Sequence, residues 1–312
     1  MIRVVTRPYL GWEQCCYLTN GVVELVVLAD AGPRVLHFSL SGRENQFHEF
    51  PEQAGLRGGT DFRLYGGHRL WIWPETERTY YPDTATVQIE TDSRGASFLA
   101  PVEIHGPGAC LRKSVRLELA ESKPCVRVTH CIRNTGTGPT QLAPWTPTIM
   151  RPGGRAILPL PPRHAMDKDH FQSVSPLTLW SFTDFTDSRW SLGQEFLQLA
   201  QESEPAGRFP EQMSGLFVKE GWGTYLRSGT LFVKRARPVA GATYPDFGCN
   251  FEVFTSPEFL ELETLGPVVS LAPGEAVEHT ESWWLFENVP AISAEDDIQK
   301  ILIPLVASTE LP

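Results

Sequence analysis

Alternation of apolar and polar residues constrains this chain more than any other feature. In "KSVRLEL" (113–119), Val115, Leu117 and Leu119 fall on one face, with Ser114, Arg116 and Glu118 on the other. "CVRVTHCIR" (125–133) repeats the pattern, and "ESKP" joins the two. A period of two belongs to a strand with one buried face, and two such runs across a short joint predict a hairpin. "GVVELVVL" (21–28) and "RVLHFSL" (34–40) flank "ADAGP" in the same manner. Further β-type runs are "EFLQLA" (195–200), "TLFVKR" (230–235), "NFEVF" (250–254), "FLELETL" (259–265) and "VEHTESWWLF" (277–286). The 26 glycines and 26 prolines punctuate these runs, as many turns between short strands require. One stretch reads as helix: Ser293 precedes "AEDDIQKIL", with Asp296 as capping-box partner, and this helix is expected to serve as a lid or edge cover. Residues 161–215 read as long loops with a few strands, a setting that often carries binding residues. The expectation is all-β: one large antiparallel β-sandwich domain over 1–312 with few short helices.

Charge and missing motifs exclude several function classes. A formal net charge of −10 argues against nucleic acid or anionic membranes as partners. No run of about 18 apolar residues predicts a membrane span. The start, "MIRVVTRPYLGWEQ", lacks the apolar core of a signal peptide, so a cytoplasmic location is the expectation. The six cysteines lack CxxC spacing, which suits reduced structural thiols. There is no Walker loop, no GxGxxG after a strand, no GxSxG elbow and no HExxH, so neither cofactor nor catalytic metal is expected.

Four stretches carry chemistry. In "FLELETLGP", Glu261 and Glu263 share a strand face between Phe259 and Leu265, with Cα atoms roughly 7 Å apart. Paired carboxylates among apolar neighbours repel, which raises one pKa and suits acid/base work; a polar face turned to water, or a Glu paired with Arg, is the plainer alternative. In "LYGGHRLWIWPE" (64–75), His68 shares a face with Leu70, whereas Arg69, Trp71 and Trp73 share the other, and Glu75 follows. The glycines permit a bulge or close backbone approach. Indole faces stack on sugar rings and Arg forks onto hydroxyls or phosphate; for His68 a satisfied structural histidine is the alternative. "YPDFGCNFEVF" supplies Tyr244, Asp246, Asn250 and Glu252, with Lys234 and Arg235 upstream; turn residues and an exposed strand are the alternative. "HAMDKDH" (164–170) mixes His and Asp without a defensible metal spacing and reads as a solvated loop, and His130 reads as a core histidine.

With these residues in view, the chain resembles the galactose mutarotase-like superfamily, which includes the aldose 1-epimerases, and within it a bacterial branch marked by "GGHRLW" and "ELETLGP". "LYGGHRLW" (64–71) is similar to the "LHGG" segment of the epimerases, and "LELETLGP" (260–267) to their glutamate-bearing "LETQ" strand. "LAPGEAVEHTESWWLF" (271–286) is similar to their final turn and strand, and "AGPRVLHFSLSGREN" (31–45) to their early hairpin. The resemblance implies a twisted β-sandwich with a carbohydrate groove, Glu263 as the base that deprotonates the anomeric hydroxyl, and a histidine acid. The pattern departs at two places: Tyr65 stands for the "LHGG" histidine, and Trp145 occupies the neighbourhood of the acid. On this reading His68 becomes the acid, Arg69 a hydroxyl or phosphate clamp, and Trp71 and Trp145 stacking platforms. Glu75, Lys234, Asn250, Glu252 and Glu261 complete the set of ligand contacts. The ligand would be a small carbohydrate, phosphorylated or not; the alternative function is a non-catalytic carbohydrate-recognition domain. A sugar lyase is disfavoured, since no helical N-terminal domain precedes the strands.

Overall fold

The alternating runs form antiparallel strands stacked in two layers. The computed structural model describes residues 2–82, 85–106 and 108–312. One layer is a ten-stranded sheet that includes Ala109–Leu119, Cys125–Asn134, Thr230–Ala236 and Ala276–Phe286. The hairpin expected at 113–133 is present, with Val115 opposite His130 and Leu117 opposite Val128. The alternation survives in three dimensions: Lys113, Val115, Leu117 and Leu119 are buried, and the residues between them are more exposed.

The other layer has two parts. The strands Arg3–Tyr9, Trp12–Thr19, Val23–Leu28 and Arg34–Leu40 make a four-stranded sheet. A seven-stranded sheet has Thr140–Met150 and Leu260–Leu265 at its centre, flanked by Phe251–Thr255 and Trp71–Trp73. His68 joins the parts by bridging to Val35 on one side and Thr148 on the other. The two glycines before it make this seam possible. Gly66 and Gly67 hold φ of +102° and +67°, and a Cβ at either would collide with the carbonyl oxygens of His48 and Val35.

Aromatic contacts weld the layers. Phe38 and Phe47 meet Phe232 and Trp283 of the ten-stranded sheet at ring separations of 5.5–6.1 Å. Each such pair contributes about 0.5–1.5 kcal/mol beyond area burial. The C-terminal helical segment begins at Glu295, one residue later than the sequence suggests: Asp297, not Asp296, accepts the N–H groups of Ser293 and Ala294. Its Ile298, Leu302 and Val306 pack on Leu231, Val233 and Trp284 of the ten-stranded sheet. It therefore covers the outer face of that sheet rather than acting as a lid on the opposite layer. No helix among the described residues is long and apolar enough to cross a membrane.

Candidate active site

The strands Thr140–Met150 and Leu260–Leu265 are buried along almost their whole length, on both faces. Their inward residues, such as Thr146, Thr148, Leu262 and Thr264, face the ten-stranded sheet. Their outward residues form the floor of a cleft. Register dictates which they are: Trp145 lies opposite Trp71 and Leu265, Pro147 opposite Glu263, and Glu263 opposite Glu252. Since side chains alternate along a strand, these residues share one face.

The cleft has a volume of about 390 Å³, within the range of small-molecule sites. Trp71, Trp73 and Trp145 line it from the sheet, and Glu75 and Tyr80 from the segment that follows Trp73. The long irregular region contributes Trp180 and Phe182, and the sheet strand Gln212–Leu216 contributes Met213. Its carboxyl groups are Glu75, Asp246, Glu252, Glu261 and Glu263. Trp73, Tyr80, Trp180 and Asp246 lie outside the set of site residues drawn from the sequence. A signal existed for Trp73, which shares strand parity with Trp71. None existed for Trp180, which reaches the cleft from a loop.

Burial dominates the electrostatics of these carboxyls. It pushes Glu263 well above the usual carboxylate range; neighbouring Glu261 adds to this, and a hydrogen bond donated by Trp145 Nε1 opposes it. Burial raises Glu261 to about 7, against the opposing charge of Arg69. Glu252 is likewise driven well up by burial, then by Glu263 and Asp246. Glu252 is thereby held in its protonated form, and Asp246, itself raised by burial, accepts from Trp73 Nε1 at 3.3 Å. Gly215 opposes Glu252 across the next strand pair, where a Cβ would crowd the Glu252 side chain. The site thus holds one carboxyl poised to ionise near neutrality beside two that retain protons, the separation that acid/base chemistry requires.

Three residues assigned to the site by sequence, His68, Lys234 and Asn250, lie elsewhere, and a fourth, Arg69, stands beside the lining. His68 is 1% exposed and points between the layers. His130 Nδ1 donates to the His279 carbonyl at 2.9 Å, so its Nε2 accepts from His68 Nε2–H at 2.7 Å. His68 Nδ1 then accepts from the Thr148 hydroxyl at 2.8 Å. Burial holds the His68 ring well below its ordinary pKa, and it is a structural histidine rather than an acid for the cleft. Lys234 is also interior, donating to Thr146 O, Thr148 Oγ1 and Leu262 O and pairing with Glu281 at 3.1 Å. Burial pushes Glu281 up, but Lys234 and the hydrogen-bonded neighbours outweigh it and hold the carboxylate ionised. His68, His130 and Glu281 offer ligand-type atoms within 4.8 Å of one another, yet both rings are hydrogen-bonded and an ammonium sits against the carboxylate. That donor set fits a polar staple, not a cation site. Asn250 spends its amide on the backbone of Val218, at 2.6 and 3.1 Å. Arg69 is not among the lining residues, but it stacks 3.6 Å from the Trp71 ring centroid and its charge acts on Glu261. Trp71, Glu75, Trp145, Glu252, Glu261 and Glu263 do converge on the cleft. His164 and His170 stack on each other in an exposed loop, and His130 is fully buried.

No protein-family model matches the chain, and no curated protein matches it in sequence. Solved structures do match in fold. A galactose mutarotase-like protein from Lactobacillus casei superposes over 87% of this chain and 100% of its own, with a TM-score of 0.58 at 9% identity. A galactose mutarotase related enzyme from Lactobacillus acidophilus does so over 90% and 100%, with a TM-score of 0.55 at 11% identity. A TPR-domain containing protein from Parabacteroides distasonis matches 96% of this chain with a TM-score of 0.58 at 13% identity, although the chain spans only 49% of that protein. Identities this low establish a shared fold.

Proposed function

We propose, for a chain with the galactose mutarotase-like fold, that the cleft binds a sugar and interconverts its anomers as an aldose 1-epimerase-like isomerase. The observation that carries this reading is the pair Glu261 and Glu263 on one strand face, ringed by tryptophans in an open cleft. Indoles take the apolar C–H face of a pyranose, and carboxyls take its hydroxyls.

Anomer exchange needs a base at the anomeric hydroxyl and an acid at the ring oxygen. The roles differ from those suggested by sequence resemblance. Glu261, raised to about 7, is the base. Glu263, which keeps its proton and is oriented by Trp145, is the acid. Glu261 takes the proton from the anomeric hydroxyl while Glu263 gives its proton to the ring oxygen. The ring C–O bond breaks, and its electron pair stays on that oxygen. The open aldehyde rotates about its C–C bond. Both proton transfers then reverse as the hydroxyl re-adds to the other face, which restores both carboxyls. Exchange spectroscopy by NMR on a panel of aldoses tests this: accelerated exchange that is lost in Glu261→Gln and Glu263→Gln is the expected result.

One observation favours a second reading, that of a carbohydrate-recognition domain without catalysis. His68 faces the interior, so no histidine lines the cleft among the described residues. Sugar-induced shifts with anomers left at the spontaneous rate would select it.

A further inference from the structure

The lining of the cleft has a charge imbalance that bears on its ligand. It presents the five carboxyls named above and, among the described residues, no Lys, Arg or His. The cations nearby are Arg69, stacked on Trp71, and Lys234, on the interior side of the sheet and paired with Glu281. Glu252 is 2% exposed, and its Oε1 has no hydrogen-bond partner although the residue lines the cleft. A buried acceptor left without a donor is destabilising, and a ligand that supplies a donor there removes that cost.

Three ligand chemistries separate on these facts. An anionic sugar, such as a sugar phosphate, would bring negative charge to five carboxyls, while the two cations whose charge reaches them, Arg69 and Lys234, stand outside the lining. A neutral sugar offers hydroxyls but no charge, so the repulsion that keeps protons on Glu252 and Glu263 goes unrelieved. A protonated amine offsets that repulsion, donates three hydrogen bonds, and sits against indole faces that favour cations.

We infer that the ligand of this cleft is an amino sugar, whose ammonium sits between Glu252 and the neighbouring carboxyls while its ring stacks on the tryptophans. This rests on the sugar-binding reading above. The phosphorylated alternative drawn from the sequence is disfavoured by the same lining.

Calorimetric titration of the full chain with glucosamine, galactosamine and mannosamine tests it. The parent hexoses, glucose 6-phosphate and tetramethylammonium serve as comparisons. At least one amino sugar is expected to bind 10-fold or more tighter than its parent hexose, and the phosphate weaker than either. Glu252→Gln, close in shape, should bring that ratio toward one, and a ratio that stays at 10-fold or more in this variant would overturn the inference. A hexose that binds as well as its amine would overturn the inference and leave the sugar reading intact. Tetramethylammonium binding as tightly as any amino sugar would show that charge alone is read, and would overturn it too. If no sugar of any kind binds, the sugar reading itself fails and this inference with it.

Discussion

Glu252 and Glu263 stand directly opposite each other on adjacent antiparallel strands, both at most 2% exposed. Like charges in direct cross-strand pairing are destabilising, and burial compounds the effect. Both carboxyls therefore hold protons that a surface glutamate would lose. The pair supplies neutral, hydrogen-bond-donating carboxyls to the cleft floor, beside a Glu261 that ionises near neutrality.

Glu261→Gln and Glu263→Gln should each lower anomer exchange by about 10²–10⁴-fold, the usual scale of a lost general acid or base. Sugar affinity should change far less. NMR exchange rates and calorimetric affinities measured on the same samples separate the two. Wild-type exchange rates in both variants would remove these glutamates from the mechanism.

The exchange rate should climb with pH through about 7, since the base must be unprotonated and Glu261 ionises there. It should fall again at higher pH, as Glu263 loses the proton it must donate. A pH–rate profile that is flat across neutrality would contradict the assignment.

Stability should carry the same signature with the opposite slope. The Glu261 carboxyl, ordinarily 4.5, is raised to about 7 when folded. Between those values the folded state binds more protons than the unfolded one. Its contribution is thus fully present below the unfolded value and lost as pH rises through the folded one, at about 1.4 kcal/mol per pH unit. Urea denaturation at about pH 5 and about pH 8 should show Glu261→Gln gaining on wild type at the higher pH. Equal differences at both would mean that the carboxyl is not perturbed.

Lys234→Met should destabilise the protein by about 3–5 kcal/mol, because it strands a buried Glu281 without its ammonium. Adding Glu281→Gln should recover part of the loss. Denaturation of both variants measures this, and additive losses would show that the two groups act independently.

Gly67→Ala should cost about 4 kcal/mol or more or abolish soluble expression. The residue holds φ +67°, and a Cβ there meets the Val35 carbonyl oxygen. A variant that melts with the wild type would show that the seam at His68 is soft.

The strand runs were legible because alternation is local: "KSVRLEL" and "CVRVTHCIR" pair as their patterns imply. The sharing of faces was legible too. Trp71 and Trp73 lie on the cleft side and His68 and Leu70 on the other, as a period of two demands. Which face met the other sheet was not legible, since a strand buried on both sides shows polar residues on both. His68, Lys234 and Glu281 are as ionisable as Glu261 and Glu263, yet they staple the layers instead of lining the cleft.

By itself, then, the sequence determined an all-β chain, its hairpins, and the shared face of Glu261 and Glu263, because each follows from the two-residue period of an extended backbone. Only the tertiary structure decided which polar face is core and which is cleft, and that Trp180 and Asp246 join the site. Stacking one sheet on another, and folding a long loop over the result, sets burial between residues far apart in the chain, and no local pattern encodes that.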